Sequence, residues 1–296
     1  MPMPQPGVFA LGTRSHHHLQ LDLVGTPADL VGSLERLRES VTTVDGVNLV
    51  IGFGARLWGQ LAPGQVPDGL TDFTPIPGAG DRELPAEQHD LWLWFHAGGP
   101  DAVFKAARLA SLELAGIAEI AAEQPGFSYL SSQDLTGFED GTENPPIDEA
   151  LAVATIPPGA PGAGGSVVLV QRWVHDLDAF EALPLPQREA VFGRTFLGSE
   201  ELPDDIRPDD AHISRVVIED DAGEELEIFR RSVAFGGVIE HGLMFVAFSA
   251  DRARLQRMLE RMVGADDGIH DRLLDFSTPT TGAWYIAPSV EALRDL

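Results

Sequence analysis

The order of the chain's periodic segments constrains its fold most strongly, because a similar order occurs twice along 296 residues. Alternating apolar and polar residues indicate strands, and apolar residues three or four positions apart indicate helices. In the first half these patterns predict a strand at 18–24, a helix at 27–44, strands at 48–53 and 89–96, a helix at 100–114 and a strand at 117–121. In the second half they predict a strand at 166–174, a mostly helical segment at 177–195 that is interrupted at Pro184 and Pro186, strands at 213–218, 226–233 and 243–248, and a helix at 251–263.

This repetition predicts an α+β fold with two halves, 1–145 and 146–296, in which helices cover one face of each sheet. The acidic segment 219–223 reads as a hairpin turn centred near Asp221 and Ala222, which would pair strands 213–218 and 226–233. Antiparallel pairing would then bring His212 and Arg230 to the same end of one ribbon.

Composition excludes several classes of protein. The chain has no cysteine, so neither disulfides nor thiolate ligands are available to it. Acidic residues outnumber basic residues 46 to 20, and a surface with a net charge of −26 repels nucleic acid and anionic membranes. The sequence shows neither a secretion signal at its start nor a run of about 18 apolar residues. We therefore expect a cytoplasmic protein that binds neither nucleic acid nor membranes.

A polar loop bracketed by glycines lies near the middle of the chain, at 137–145. Its adjacent carboxylates, followed by Thr, Asn and Pro, do not suit a helix interior or a central strand, so the backbone turns here. One interpretation is a solvated connection between the halves. The other is a functional loop, since His212 and the pair Arg230 and Arg231 follow downstream beside apolar segments.

Several stretches resemble signatures of the dye-decolourising peroxidases, in that family's order. The sequence Gly-Phe-Glu-Asp-Gly at 137–141 is similar to the family's GxxDG motif. The other similar stretches are Phe-Gly-Arg-Thr at 192–195, Asp-Ala-His-Ile-Ser-Arg at 210–215, residues 229–236, and Leu-Asp-Phe-Ser-Thr-Pro at 274–279. The resemblance is to the compact bacterial B type. It implies two ferredoxin-like halves of the dimeric α/β-barrel type, with antiparallel sheets packed together, helices outside, and haem b in the C-terminal half.

The resemblance implies that His212 is the proximal ligand of the haem iron. In a chain without thiolate, haem iron must be held by nitrogen or oxygen, and the other ring nitrogen of a ligating histidine usually donates to a carboxylate. Glu225 and Asp275 are equal candidates for that carboxylate. His241 precedes an apolar strand and could also reach a buried cofactor, so it competes as iron ligand together with His96, His175 and His270. None of these four lies in a stretch similar to the family's ligand motif.

The resemblance also implies that Asp140 and Arg230 face the peroxide. Cleavage of peroxide needs a group that moves a proton and a cation that stabilises the developing charge. We expect Arg230 to keep Asp140 ionised, so whether Asp140 moves the proton or positions water stays open. Ser232 stands where B-type members commonly have asparagine, which replaces an amide donor by a smaller hydroxyl. Arg231 points to the other face of its strand, towards the surface or a propionate.

Four further residues complete the expected haem site. Arg194 resembles the family arginine that pairs with a haem propionate, and a helix-end arginine that contacts carbonyls is the alternative. Phe235, Leu243 and Phe245 are expected as apolar walls for the porphyrin, with ordinary core as the alternative.

The resemblance implies a haem peroxidase that reduces hydrogen peroxide and oxidises small aromatic donors such as phenols and dyes. A haem-binding or haem-handling protein with little turnover is the alternative. Family analogy also implies a homo-oligomer.

Overall fold

The computed structural model describes residues 2–44, 46–130, 133–220 and 222–296. A 3-10 helix, Pro6–Phe9, precedes the elements of the first half. These are β1 (Ser15–Leu23), α1 (Pro27–Thr42), β2 (Asn48–Phe53), α2 (Ala55–Leu61), β3 (Ile76–Pro77), β4 (Glu83–Leu84), β5 (Leu91–Ala97), α3 (Pro100–Glu113) and β6 (Ala118–Phe127). They contain every strand and helix expected for this half.

The second half has more and shorter elements than its sequence suggests. They are α4 (Ile147–Ala154), β7 (Ser166–His175), α5 (Leu177–Glu181), α6 (Leu185–Phe192), α7 (His212–Val216), β8 (Phe229–Arg230), β9 (Val233–Gly236), β10 (His241–Ser249), α8 (Arg252–Met262), the 3-10 helix Arg272–Asp275, β11 (Ser277–Pro279), β12 (Ala283–Ala287) and α9 (Val290–Arg294). Among the residues described, no helix is long and apolar enough to cross a bilayer.

Ten of the strands form one antiparallel sheet that closes on itself. The order is β11-β7-β12-β2-β5-β1-β6-β9-β10-β8, and β7 also pairs with β10, which closes the barrel. The short strands β11 and β12 pair with successive parts of β7, and β8 and β9 pair with successive parts of β10. One pair of residues links the halves at each junction, Phe127 with Ala234 and Ile286 with Phe53.

Closure of the sheet explains why the strands are buried on both faces. We expected β1 to be half-buried from its alternation, yet its first seven residues are all buried. One face of the sheet points into the barrel, where Trp92, Trp94 and Tyr285 pack. On the other face, α1 and α3 pack against the first half of the sheet, and α8 packs against β7 and β10.

The segment after residue 211 is the main departure from the expected secondary structure. Branched residues favour a strand at 213–218, but the chain forms helix α7 instead. Tertiary contacts decide this, because the buried guanidinium of Arg215 donates to both carboxylate oxygens of Asp267 and to the carbonyl of Arg261. The expected ribbon joining His212 to Arg230 is therefore wrong.

The predicted strand 226–233 is split into β8 and β9. The segment 177–195 forms α5 and α6 with the predicted interruption at Pro184, whereas Pro186 lies in the first turn of α6 and does not interrupt it. A local turn does join the segments on either side of 219–225, where Leu226 donates to the carbonyl of Ile218 and Asp220 to that of Glu224. Of the proposed turn centre, Asp221 lies outside the described residues.

Candidate functional site

A large cavity opens on the outer face of the second half of the sheet. It holds about 1060 Å³ of space free of protein atoms, including the open space at its mouth. Strands β7 and β10, helices α7 and α8, and the loop 134–143 form its walls. Apolar side chains dominate the lining, among them Phe138, Trp173, Val216, Phe245, Met258 and Leu259.

His212 is the first residue of α7, and its imidazole lines this cavity. Its Nδ1 lies 2.6 Å from Oδ2 of Asp271, whose side chain is 0% exposed, whereas that of His212 is 22% exposed. Asp271 is itself fixed, because its Oδ1 accepts from the backbone of Leu273 and its own N–H donates to Met262. Since a carboxylate only accepts, Nδ1 carries the proton and Nε2 keeps its lone pair. Among the described residues, Nε2 has no hydrogen-bond partner.

The carboxylate expected beside His212 was therefore misassigned. Asp275 lies 41% exposed on the surface and bonds to Arg82 at 2.6 Å. Glu225 does not line the cavity. Its backbone forms an isolated antiparallel β-bridge with that of Glu219. Asp271 caps the 3-10 helix Arg272–Asp275, and an aspartate two positions before the apolar pair Leu273 and Leu274 is the signal that could have identified it.

Asp140 and Arg230 lie together on the cavity wall. The loop that carries Asp140 is tied to β8 by Asn144, which accepts from the backbone N–H of Arg230 and donates to its carbonyl. Burial raises the pKa of Asp140 above its ordinary value, although the charge of Arg230 opposes this shift. The direction of this shift is opposite to the one that Arg230 alone would cause, because burial outweighs the attraction between the two side chains.

A second opening reaches Asp140 and Arg230 from the other side. We call it the vestibule; its other lining residues include Leu11, Arg14, His16, Tyr129, Leu130, Arg231 and Ser232. Ser232 lies in the break between β8 and β9 and faces the vestibule rather than the main cavity. The guanidinium of Arg231 bonds to the carbonyls of Val8 and Ala10, so it holds the N-terminal segment.

Arg194 lines the cavity at the end of α6. Its guanidinium pairs with Glu143, bonds to the carbonyl of Ser199 at 2.7 Å and approaches Glu201 at 3.3 Å. The preceding Gly193 has φ +78°, and a Cβ added there would lie 2.5 Å from Cγ2 of Ile213. Glycine at this position therefore allows α6 to end directly against α7.

Two of the three expected apolar walls line the cavity. Leu243 and Phe245 alternate with the inward residues of β10 and face outward into it. Phe235 does not line it, which corrects the expectation. Phe235 is the cross-strand partner of Gly242, a residue of β10 that lies on the inward face of the sheet, so Phe235 also points into the barrel. There the guanidinium carbon of Arg172 lies 4.3 Å from the centre of its ring.

Of the competing histidines, only His175 lines the cavity among the residues described. Its two ring nitrogens bond to Asp134 and to Ser277, which also line the cavity, so neither nitrogen is free to bind iron. The competing ligand His241 is directed elsewhere, with Nδ1 2.9 Å from the carbonyl of Gly237. Asp134, His175 and Ser277 come from segments far apart in the chain, so no local pattern could have grouped them.

Comparisons with known proteins cover nearly the whole chain. Family models described as Dyp-type peroxidase, N-terminal, and Dyp-type peroxidase, C-terminal, match residues 30–128 and 131–292. A dye-decolorizing peroxidase of Rhodococcus erythropolis is 35% identical, with 90% of this chain and 80% of that protein covered. One from Brevibacterium linens is 36% identical, with 99% and 80% covered.

Solved structures agree with these matches. DyPB from Rhodococcus jostii has a TM-score of 0.92 at 34% identity, over 99% of this chain and 98% of that one. A variant of that protein in complex with haem has a TM-score of 0.90 at 33% identity, over 96% of both chains. From the family models and the extent of these similarities, the chain belongs to the Dyp-type peroxidase family.

Proposed function

We propose that this chain is a haem peroxidase that reduces hydrogen peroxide and oxidises small aromatic donors such as phenols and dyes. One observation carries the proposal. A single apolar cavity is lined both by an imidazole with a free ring nitrogen, His212, and by a carboxyl and guanidinium pair, Asp140 and Arg230. The presence of haem in a related structure supports haem b as the cofactor.

The lining of the cavity fits an iron porphyrin. Apolar side chains provide contact surface for a flat macrocycle, and Arg194 provides a cation suited to a propionate. In a chain of net charge −26, a cofactor with two carboxylates requires such a partner. Haem would supply the redox chemistry: it would give two electrons to peroxide and then recover them from the donors, one electron at a time.

His212 would hold the iron through Nε2. The hydrogen bond from Nδ1 to Asp271 fixes the tautomer that leaves this lone pair available, and it makes the imidazole more electron-rich. Because Asp271 is completely buried and bonded on both oxygens, the ring is held in one orientation.

Asp140 and Arg230 would handle the proton and the charge of peroxide. The carboxylate of Asp140 would accept a proton from one peroxide oxygen and return it to the other, so that the O–O bond breaks with release of water and the bound haem takes up the two oxidising equivalents. The guanidinium of Arg230 stabilises the negative charge that develops on the departing oxygen. The raised pKa of Asp140 suits this exchange, because a group that both accepts and returns a proton works best when its pKa is shifted towards the pH at which it acts. Ser232 faces the vestibule, and we assign it a secondary role there.

Reconstitution with hemin tests the proposal. We expect the purified chain to bind one hemin with a histidine-ligated absorption spectrum, and to oxidise a phenol at the expense of peroxide. His212→Ala should lose that spectrum. Arg230→Ala should keep it while turnover falls about 10²- to 10³-fold.

Two results would contradict this assignment. Hemin uptake without peroxide-dependent oxidation would favour a haem-handling protein. An unchanged spectrum in His212→Ala would exclude this residue as the ligand.

We further propose that residues 1–145 and 146–296 are two ferredoxin-like units. The strand order in the first unit is β2-β5-β1-β6. In the second unit β7 and β10 are the central strands, with β11 and β12 on the outer side of β7 and with β8 and β9 on the outer side of β10. Matching β1 with β7 and β5 with β10 makes these orders equivalent, which supports duplication. Superposition of the two sheets on that matching would test it, and a poor fit would refute it.

We also propose that the protein forms a homo-oligomer. Val238 and Ile239, in the turn between β9 and β10, are 97% and 96% exposed, which is costly for adjacent apolar side chains. Light scattering of the wild type and of a Val238→Ser, Ile239→Ser variant would test this. A monomeric wild type would refute it.

A further inference from the structure

Three side chains form a hydrogen-bonded network on the cavity wall, the Asp134–His175–Ser277 network. Nδ1 of His175 lies 2.8 Å from Oγ of Ser277, and Nε2 lies 3.1 Å from Oδ1 of Asp134. Since the carboxylate only accepts, Nε2 carries the proton and Nδ1 accepts from the serine hydroxyl when the ring is neutral. The side chains of His175 and Asp134 are only 6% and 13% exposed. The mechanism proposed above uses none of these residues.

The network fastens the loop of Asp140 to the barrel. His175 ends β7 and Ser277 begins β11, and these two residues face each other in the sheet. Asp134 begins the turn that leads to Asp140, because its backbone N–H donates to the carbonyl of Phe138. Its Oδ2 also accepts from the backbone and the hydroxyl of Thr136, at 2.9 and 2.6 Å. The position of this loop therefore depends on Asp134.

The same carboxylate acts electrostatically on Asp140. Burial raises the pKa of Asp134, but hydrogen bonds from His175 and Thr136 outweigh burial and hold that pKa below its ordinary value, so Asp134 stays charged. Burial and then the charge of Asp134 raise the pKa of Asp140, while Arg230 and His212 lower it. Among the described residues, the other charged or titratable side chains around Asp140 are Glu139, Glu143 and Arg194 in the cavity and Arg14, His16, Tyr129 and Arg231 in the vestibule.

We propose that Asp134, clamped by His175 and Ser277, is a positioning residue that holds the loop of Asp140 in place and keeps Asp140 able to carry a proton. This inference rests on the proposed function, in which Asp140 exchanges a proton with peroxide. Its physical content is that a fixed negative charge beside a second carboxyl favours the protonated form of the second.

Titration of Asp140 in the haem-free full chain tests the charge directly. The carboxyl carbon of Asp140, assigned with Asp140→Asn, is followed by ¹³C NMR against pH. Asp134→Asn should move the midpoint to lower pH. Thr136→Val is the matched control, because it removes a hydrogen bond to the same oxygen and leaves the charge of Asp134. It should keep the wild-type midpoint. Equal midpoints in wild type and Asp134→Asn, or equal shifts in both variants, would overturn the inference.

The hemin-loaded protein provides a second measurement. The pH at which peroxide-dependent oxidation is half-maximal should move downward in Asp134→Asn, whichever protonation state of Asp140 is the active one. If Asp140→Asn kept full activity, the proposed function itself would fail. If Asp140→Asn lost activity while Asp134→Asn kept the wild-type pH midpoint, only this inference would fail.

Ser277→Ala tests the clamp if Asp134→Asn does not fold. Loss of one hydroxyl leaves Nδ1 of His175 without its 2.8 Å partner, so the ring holds Asp134 less firmly. We expect a several-fold lower rate with peroxide and an unchanged pH midpoint, since the charge of Asp134 remains. A wild-type rate in Ser277→Ala would overturn the clamp.

Discussion

Replacing Asp271 with asparagine should weaken haem binding by reversing the tautomer of His212. The oxygen of the introduced amide can keep the bond from the backbone of Leu273, which now ends on Oδ1 at 2.8 Å. The amide nitrogen would then face Nδ1 of His212 and donate to it. The ring proton would move to Nε2, and the lone pair that holds iron would be lost.

The size of the effect follows from the bond that is lost. A hydrogen bond to a charged group contributes about 1.5–3 kcal/mol, and Asp271 is fully buried at 2.6 Å from the imidazole. At about 1.4 kcal/mol per factor of ten, hemin affinity should fall about 10- to 100-fold. Titration of the haem-free chain with hemin, followed by absorbance, measures this affinity.

Asp275→Asn is the matched control, because it makes the same chemical change four residues away. Asp275 bonds to Arg82 and approaches His270 at 3.3 Å, but it does not contact His212. Its replacement should leave hemin affinity at the wild-type value. Wild-type affinity in Asp271→Asn, with thermal stability retained, would refute the tautomer argument, and so would equal losses in the two variants.

Three further predictions concern the support of the site. Arg194→Ala should lower hemin affinity about tenfold by removing a charged hydrogen bond to a propionate, and equal hemin titrations for variant and wild type would contradict that role. Gly193→Ala should lower the free energy of unfolding by at least about 1–2 kcal/mol, because φ at this position is +78° and the added Cβ would meet Ile213. Urea unfolding measures this loss, and a smaller one would show that α6 and α7 can separate. Hydrogen bonds from Arg215 hold the pKa of Asp267 below its ordinary value. The ionised carboxylate therefore stabilises the fold fully above about pH 3.9, the pKa of an unfolded aspartate, and this stabilisation is lost as the pH falls through the lower pKa of the folded state. Asp267→Asn should therefore show a smaller loss of thermal stability on acidification than wild type, and parallel curves would exclude this linkage.

Local patterns were sufficient for most of the regular elements. Helix α1 begins after Thr26, whose side chain accepts from the backbone N–H of Asp29, and Pro27 is its first residue. Helix α8 begins after Asp251, whose side chain accepts from the backbone N–H of Ala253. Apolar alternation located the main strands of both halves, and the glycine-bracketed loop containing Asp140 turns as its residues require. These features depend on a few neighbouring residues, so a linear pattern contains the necessary information.

The absence of thiolate and the chemical types of His212, Asp140 and Arg230 were likewise fixed by the sequence alone. Tertiary structure decided that the sheet closes, that α7 is a helix, that Phe235 faces the barrel, and that Asp271 accepts the hydrogen bond from Nδ1 of His212. Asp271 is 59 positions from His212, and Asn144 is 86 positions from Arg230. Contacts over such separations decide which face of the sheet a strand residue occupies and which carboxylate is buried beside which ring. Local periodicity contains no information about these contacts.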